Sequence, residues 1–146
     1  MADVHSPETR SYNMSRIHAK DTKPEVLLRK ALFAKGFRYR KHDSRLPGKP
    51  DIVLPKYRTV IFVNGCFWHA HEGCKYFVMP KTRVDFWSNK IKGNVERDRK
   101  QYSDLKSLGW KVLVVWECSL RKNSFDSSLS NIIYSICNTK EKYNNL

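Results

Sequence analysis

Two short apolar runs, residues 59–63 and 111–116, constrain the fold of this chain more than any other feature of its sequence. Both consist largely of valine and other large apolar residues, which is typical of strands that are buried on both faces of a sheet. A further apolar run at residues 51–54 precedes the first one across a turn at 55–58, so the pair predicts an antiparallel hairpin. We expect the strand at 111–116 to be central in the sheet.

Three helical patterns surround these strands. The first begins after Thr22, a good N-cap residue, and ends at Gly36, which favours the conformation that terminates a helix. The second is long and very polar and covers residues 86–107, and the third covers about residues 129–137.

A basic strand at residues 37–41 completes the order α-β-β-β-α-β-α, which predicts an α/β sandwich around a mixed sheet. With 146 residues, the chain has the size of one domain with its own core, so we expect a single domain over residues 1–146. Residues 1–20 show little regular apolar pattern and predict an arm.

The net charge of +14 points to a polyanionic partner, with nucleic acid as the first candidate. Most of the basic surplus lies in the first hundred residues, where we expect an anion-binding face; the alternative is that the charge only favours solubility. The chain has no run of 18 apolar residues, and its N-terminus is polar. We therefore expect neither a membrane span nor a secretory signal, and a cytosolic protein.

The segment NGCFWHAHEGC, residues 64–74, holds two cysteines and two histidines. In a cytosolic chain, such clustering favours metal binding over disulfides, and a closed tetrahedral zinc site is structural rather than catalytic. The set that could surround one zinc ion is Cys66, His71, Cys74 and Cys118. His69 competes with His71 on the residues alone, and the other possibility is that the cysteines are simply buried. Cys137 has no such neighbours and is expected in a helix core.

Acidic side chains on so basic a protein suggest a site for a divalent cation. Asp51 opens a strand, although it could also be a turn residue after Pro50. Glu25 lies in the first helix, where it could equally complete a capping box with Thr22. Asp98 could lie near an active site or pair with neighbouring arginines on a solvated helix.

Aromatic residues are concentrated in and after the Cys/His segment. Phe67 and Trp68 are adjacent, so both rings cannot easily enter one core, and we expect at least one to be exposed. Trp87 on the long helix is nearly as consistent with core packing as with binding, whereas Trp110 and Trp116 are expected in the core.

Four segments of the chain resemble the very-short-patch-repair (Vsr) DNA mismatch endonucleases. They are LPGKPD (46–51), VIFVNGCFWH (60–69), NVERD (94–98) and GWKVLVVWEC (109–118). The pattern Arg10-Ser11-x-Asn13-Met14 belongs to the same resemblance, which covers about residues 1–120 in order. It implies a restriction-endonuclease-like three-layer sandwich with a central mixed β-sheet flanked by helices and a structural zinc site. The chain then divides into an arm (1–20), a catalytic core (21–121) and a C-terminal helix (122–146).

The activity implied by the resemblance is a strand-specific nick beside a T:G mismatch in double-stranded DNA. Such mismatches arise when 5-methylcytosine deaminates, so the implied reaction is a magnesium-dependent phosphodiester hydrolysis that initiates very short patch repair. Functional links to a cytosine-5 DNA methyltransferase and to mismatch-repair proteins are implied as well. We expect a monomer in the bacterial cytoplasm, associated with the nucleoid when it is on DNA.

The resemblance also implies roles for individual residues. Asp51 matches the main magnesium-binding aspartate, and the backbone carbonyl of Val63 matches a further metal contact. His69 matches the catalytic histidine and Glu25 an assisting acid, and Asp98 is added as a weaker candidate. The implied zinc ligands are Cys66, His71, Cys74 and Cys118. The implied DNA contacts are Met14, Phe67, Trp68 and Trp87.

This chain departs from the family at two places. Asn64 stands where some relatives carry a second active-site histidine, and the segment 69–74 is one residue longer than in some members. Two other functions therefore remain as alternatives. One is a related DNA endonuclease without a mismatch requirement, and the other is a catalytically degenerate zinc-containing DNA-binding module.

Overall fold

The structure is a computed structural model that describes residues 21–138. The predicted arm, with Met14, and the last eight residues of the predicted C-terminal segment lie outside the described residues. The helices and strands in chain order are α1 (Lys23–Ala34), β1 (Arg40–Lys41), β2 (Ile52–Leu54), β3 (Thr59–Asn64), α2 (Val84–Ser107), β4 (Lys111–Trp116) and α3 (Phe125–Cys137). Short 3-10 helices follow β2 (Pro55–Tyr57) and β4 (Glu117–Leu120).

The four strands form one mixed sheet in the order β1-β2-β3-β4. The predicted hairpin is confirmed, because β2 and β3 pair antiparallel with Ile52 opposite Ile61. β3 and β4 run parallel with Val63 opposite Val115, and the long helix α2 makes the crossover between them. The α/β class and the mixed sheet predicted from the element order are thus found.

Side chains on the strands alternate between two cores, one on each face of the sheet. On one face, Ile61 and Leu113 pack with residues of α1 and α3, such as Leu32 and Ile136. On the other face, Val60 and Val112 pack with Leu105 of α2. Helices therefore cover both faces, which explains why the strands read as continuous apolar runs.

Several boundaries and positions differ from the sequence predictions. The basic strand shortens to Arg40–Lys41, because Phe37 is buried in the core against Tyr57 instead of continuing the ladder. β4 is not central: among residues 21–138 it pairs with β3 and forms an edge of the sheet. Its apolar character comes from the two helical layers rather than from a strand on each side.

The expectation of a core position was wrong for Cys137 and Trp116. Cys137 is exposed, because α3 turns Leu129, Ile132 and Ile136 toward the core and leaves the next position on the solvent side. Trp116 is only partly buried, since it lies at the end of the edge strand β4. Trp110, just before β4, is partly buried and packs against the core on the α2 face, as expected.

None of the helices within the described residues has the length and apolar character needed to cross a bilayer.

Candidate active site and metal cluster

Asp51 lies immediately before β2 and next to the end of β3. Its Oδ2 accepts a hydrogen bond from the backbone N–H of Val63 at 2.7 Å, and 17% of its side chain is exposed. This contact follows from the antiparallel pairing of β2 and β3, which places the residue before β2 beside the last residues of β3. The predicted pair Asp51 and Val63 is therefore in direct contact in the structure.

Glu25 approaches Asp51 from α1. It is buried, with 1% of its surface exposed, and its backbone N–H donates to the Thr22 hydroxyl, which is one half of the capping box considered from the sequence. For the other half, its carboxylate accepts from the Asp21 N–H instead of that of Thr22. Its carboxylate faces Asp51 rather than solvent. Burial raises the pKa of Asp51 to about 7, and the Glu25 carboxylate adds to this rise because two like charges repel.

His69 and Asp98 form a hydrogen-bonded pair next to the Asp51 and Glu25 carboxylates. His69 Nδ1 lies 2.5 Å from Asp98 Oδ2, so Asp98 pairs with this histidine and not with the neighbouring arginines. An ionised Asp98 accepts a hydrogen bond from Nδ1–H, so the proton of a neutral ring stays on Nδ1 and Nε2 is left as a proton acceptor. His69 is also near enough to Asp51 to lower the pKa of that carboxyl against the larger effect of burial.

One more histidine enters this site that the sequence did not suggest. His42 Nε2 lies 2.7 Å from Glu25 Oε2 and 4.0 Å from Asp51 Oδ1. A signal existed, because His42 follows the strand that pairs with β2 and so comes opposite Asp51. We call the five side chains the Asp51 group: Glu25, His42, Asp51, His69 and Asp98.

Asn64 does not take part in this group through its own amide. It is buried and donates from Nδ2 to the Tyr102 hydroxyl of α2 at 2.8 Å. Burial raises the pKa of Tyr102, and the carboxylates of Asp98 and Asp51 add to the rise. Tyr102, which the sequence did not suggest as a site residue, therefore supplies the hydrogen-bond acceptor for the buried Asn64 amide next to the site.

The four residues predicted as zinc ligands meet in one place, here called the Cys/His cluster: Cys66, His71, Cys74 and Cys118. One sulfur or ring nitrogen from each lies within 4.8 Å of the others. The parallel pairing of β3 and β4 brings Cys118 to the loop that follows β3, with its sulfur 3.5 Å from His71 Nδ1. The structure places His71, and not His69, with the three cysteines.

The surroundings of this cluster hold its geometry. The His71 ring stacks on Trp116 with centroids 4.1 Å apart and an angle of 7° between the planes. Burial raises the pKa of the Cys66 thiol to about 12, while the Tyr76 backbone N–H, 3.4 Å from the Cys74 sulfur, lowers the pKa of that thiol. Three sulfurs and an imidazole are a donor set that suits a tetrahedral soft or borderline cation such as Zn²⁺.

Phe67, Trp68 and Trp87 form an aromatic cluster beside the two other sites. Their ring centroids are 5.1 to 5.8 Å apart, and Phe77 and Phe86 extend the cluster. As expected for adjacent aromatics, one of the first two is exposed: Trp68 keeps 43% of its surface in solvent. Its backbone carbonyl accepts a bond from Asn94 Nδ2 at 3.0 Å, which fastens the loop to α2.

The Asp51 group has the chemistry of a hydrolytic site. Two carboxylates in close proximity are a good donor set for a hard divalent cation, and a cation there would offset the burial and the repulsion by Glu25 that raise the pKa of Asp51. A histidine oriented by a carboxylate lies beside them and could transfer a proton.

Comparisons with known proteins agree with this chemistry. A family model described as DNA mismatch endonuclease Vsr matches residues 2–75. The DNA mismatch endonuclease Vsr of Escherichia coli is 53% identical over 121 residues, 83% of this chain and 77% of that protein. The type II nicking enzyme V.NmeAIP of Neisseria meningitidis is 53% identical over 124 residues, 85% of this chain and 88% of that protein. V.XorIIP of Xanthomonas oryzae is 46% identical over 134 residues, 91% of this chain and 98% of that protein.

These relatives define the class of the protein as a nuclease, that is, a hydrolase. Within that class, the chain belongs to the Vsr family of DNA mismatch endonucleases.

Proposed function

We propose that this protein nicks one strand of double-stranded DNA beside a T:G mismatch and so initiates very short patch repair of deaminated 5-methylcytosine. The observation that carries the proposal is the pairing of Asp51 with Glu25 next to a histidine oriented by Asp98, in a member of the Vsr family. The action on mismatched DNA comes from the name of the Escherichia coli relative, and the cut on one strand from the nicking enzymes.

The proposed cofactor of the reaction is Mg²⁺, held by Asp51 and the backbone carbonyl of Val63, with Glu25 as an assisting acid. A bound magnesium ion neutralises developing charge on phosphate oxygens and lowers the pKa of a bound water. Asp51 is kept in place for this role by the Val63 N–H. Burial of both carboxylates limits competing water around them.

His69 is proposed to move a proton during hydrolysis. Its Nδ1 is held by Asp98, so the ring presents Nε2 as the atom that can accept or return the proton. The His69 side chain is 28% exposed, which leaves it accessible to a DNA phosphate. Asp98 acts through His69 by fixing its orientation and tautomer.

The Cys/His cluster is proposed to hold a structural Zn²⁺. All four positions of a tetrahedral ion would be filled by protein atoms, so the ion would stabilise the loop rather than react. His69 lies between Cys66 and Cys74 in the chain, and the cluster therefore fixes the backbone on both sides of it.

The aromatic cluster is proposed to insert between base pairs next to the mismatch. Phe67, Trp68 and Trp87 present a half-exposed apolar face, and Met14 of the arm is proposed to contact the DNA as well. A mismatched step costs less to unstack than a paired one, so an aromatic wedge by itself favours mismatches.

Further proposals concern the whole molecule. We propose a restriction-endonuclease-like fold in one domain, since a mixed sheet with helices on both faces supports it. The protein would act as a monomer. It would work in the bacterial cytoplasm, because its relatives are bacterial and its proposed substrate is chromosomal DNA. A cytosine-5 DNA methyltransferase would generate the sites that give rise to its substrate, and mismatch-repair proteins are further proposed partners.

A cleavage assay tests this proposal directly. Purified zinc-loaded protein is incubated with Mg²⁺ and a duplex that carries one T:G pair in varied sequence contexts, and each strand is labelled separately. We expect a nick in one strand, with the fully paired duplex cut at least about tenfold more slowly because its bases are harder to unstack. Equal cutting of both duplexes would instead identify an endonuclease without a mismatch requirement. Tight binding without cleavage at any divalent ion would identify a DNA-binding module.

A further inference from the structure

His42 has an unusual backbone conformation at a position between two carboxylates. It follows β1 with φ at +49°, in the left-handed region that side chains with a Cβ seldom adopt. Its backbone N–H approaches the Asp51 carbonyl at 3.4 Å, and its side chain is only 13% exposed. Non-glycine residues in sparsely populated backbone conformations cluster at functional sites, where the surrounding structure enforces the conformation.

The side chain of His42 connects α1 to the sheet. Its Nε2 lies 2.7 Å from Glu25 Oε2 and 4.0 Å from Asp51 Oδ1. Besides its interaction with Asp51, the Glu25 carboxylate accepts hydrogen bonds from its own helix and from the residues before it: from the Arg29 guanidinium and from the Asp21 N–H at 3.2 Å. Of these hydrogen-bonding partners, His42 is the one that also lies near Asp51. It therefore links Glu25 on α1 to Asp51 beside the sheet.

The same network argues against a second metal ion at this place. Asp21, Glu25 and His42 have ligand-type atoms within 4.8 Å of one another. However, the Arg29 guanidinium bonds to both Asp21 and Glu25 and already supplies positive charge to them. The remaining contact runs from the His42 ring to Glu25. Because an ionised carboxylate can only accept a hydrogen bond, the ring must donate it, and its role is to orient the carboxylate.

We propose that His42 is a positioning residue: its Nε2–H holds the Glu25 carboxylate in register with Asp51 and so sets the geometry in which the divalent cation binds. This inference rests on the proposed magnesium site of the preceding section. Partners of this kind, which orient a group at a metal site, typically change metal affinity or activity about 10- to 100-fold when they are removed.

Metal binding by the full-length, zinc-loaded protein tests the role without relying on nicking. Free Mn²⁺ is measured by electron paramagnetic resonance during titration of wild type, His42→Ala, His42→Gln and Arg45→Ala. We expect His42→Ala to weaken the Mn²⁺ affinity at the site about tenfold or more, and His42→Gln, which retains an N–H donor at similar reach, to restore most of it. Arg45→Ala is the matched control, because Arg45 is on the same loop, pairs with Asp43 and is 70% exposed; it should bind like wild type.

Two further measurements separate positioning from a general structural role. Binding of a T:G duplex, measured by fluorescence anisotropy without divalent ions, should change less than about twofold in His42→Ala, since the contact lies behind the carboxylates. In the nicking assay, the variant should need more Mg²⁺ for half-maximal rate, and saturating Mg²⁺ should recover part of the rate.

Distinct results would overturn the inference. Mn²⁺ affinity of His42→Ala within about twofold of wild type would do so, as would a His42→Gln variant as weak as His42→Ala. If His42→Ala does not fold, His42→Gln against Arg45→Ala still decides the matter, because loss of affinity in the glutamine variant excludes the N–H donor role. If wild type shows no Mn²⁺ site sensitive to Asp51→Ala, the metal proposal and this inference fall together. Normal Mn²⁺ binding without nicking of T:G duplexes would overturn the proposed function alone.

Discussion

The Cys/His cluster and the Asp51 group both take residues from the loop after β3, yet they are assembled in different ways. Three members of the cluster come from nine consecutive residues, and the fourth lies in the 3-10 helix just after the neighbouring parallel strand. The members of the Asp51 group come from α1, the residue after β1, the residue before β2, the loop after β3, and α2. One site is thus local in sequence, and the other is formed almost entirely by tertiary packing.

The two sites also differ in what their chemistry requires. The Cys/His cluster is a closed donor set, so a metal there would contribute folding energy. In the Asp51 group, burial of Asp51 and its repulsion by Glu25 both destabilise the ionised carboxylate unless a cation or proton is present. The comparison therefore predicts that damage to the first site lowers stability and that damage to the second lowers activity.

The largest effect is expected for Asp51→Ala. Nicking of a T:G duplex should fall by about a thousandfold or more, because stabilisation of transition-state charge by a cation is worth several kcal/mol. Thermal stability without divalent ions should not decrease. The control is Asp126→Ala, an exposed acid at the start of α3, which should cut like wild type. Undiminished cleavage by Asp51→Ala would remove the distinction between the two sites.

The reverse pattern is expected for Cys118→Ser. Loss of one ligand should release the zinc and cost about 4 kcal/mol, which lowers Tm by roughly 10 °C for a domain of this size. Metal analysis and thermal melting provide the measurement. Cys137→Ser is the matched control, since Cys137 is exposed and lies outside the cluster. Retention of one tightly held zinc per chain in Cys118→Ser would show that Cys118 is not a ligand.

A smaller effect is expected for Asp98→Asn, which tests how the loop shared by both sites presents His69. A neutral amide oxygen accepts a weaker hydrogen bond from Nδ1–H than a carboxylate does, so it orients His69 less firmly. We therefore expect kcat to fall about 10- to 100-fold with little change in the KM for DNA. Asp104→Asn is a suitable control on the same helix, since Asp104 pairs with Lys100 near solvent. A matching loss in both variants would mean that α2 responds to charge in general.

The smallest effect is a gain of stability in Asp51→Asn when divalent ions are absent. The pKa of Asp51 is raised in the folded protein from 3.8 to about 7, so the folded state binds the proton more tightly than the unfolded state. The resulting stabilisation is complete at low pH and is lost as the pH rises through about 7. Near pH 8, the asparagine variant should be more stable by about 2 kcal/mol, and near pH 4 the difference should be small.

Melting curves with and without Mg²⁺ check this prediction. Added Mg²⁺ should stabilise wild type and narrow the gap, because the cation would occupy the site that carries the repulsion. A wild-type protein that is as stable as the variant near pH 8 would contradict the expected cost of ionising Asp51, which comes first from burial and then from Glu25.

The difference between the two sites also explains how far prediction from sequence could go. The runs at residues 51–54, 59–63 and 111–116 were assigned as strands because their apolar character does not depend on which neighbour they have. The position of β4 at the edge was missed for the same reason, since burial under helices and burial between strands produce the same sequence pattern. The spacing of Cys66, His71 and Cys74 suggested a metal site, because a short loop must bring its own side chains together.

The sequence by itself determined the local elements, the donor set of the Cys/His cluster and, through its resemblance to the Vsr family, the list of residues proposed for the active site. Tertiary structure alone decided that Asp98 pairs with His69. It also decided that His42 lies between Glu25 and Asp51. The physical reason is that hydrogen bonds between side chains from separate elements depend on how those elements pack, and no spacing along the chain encodes that packing directly.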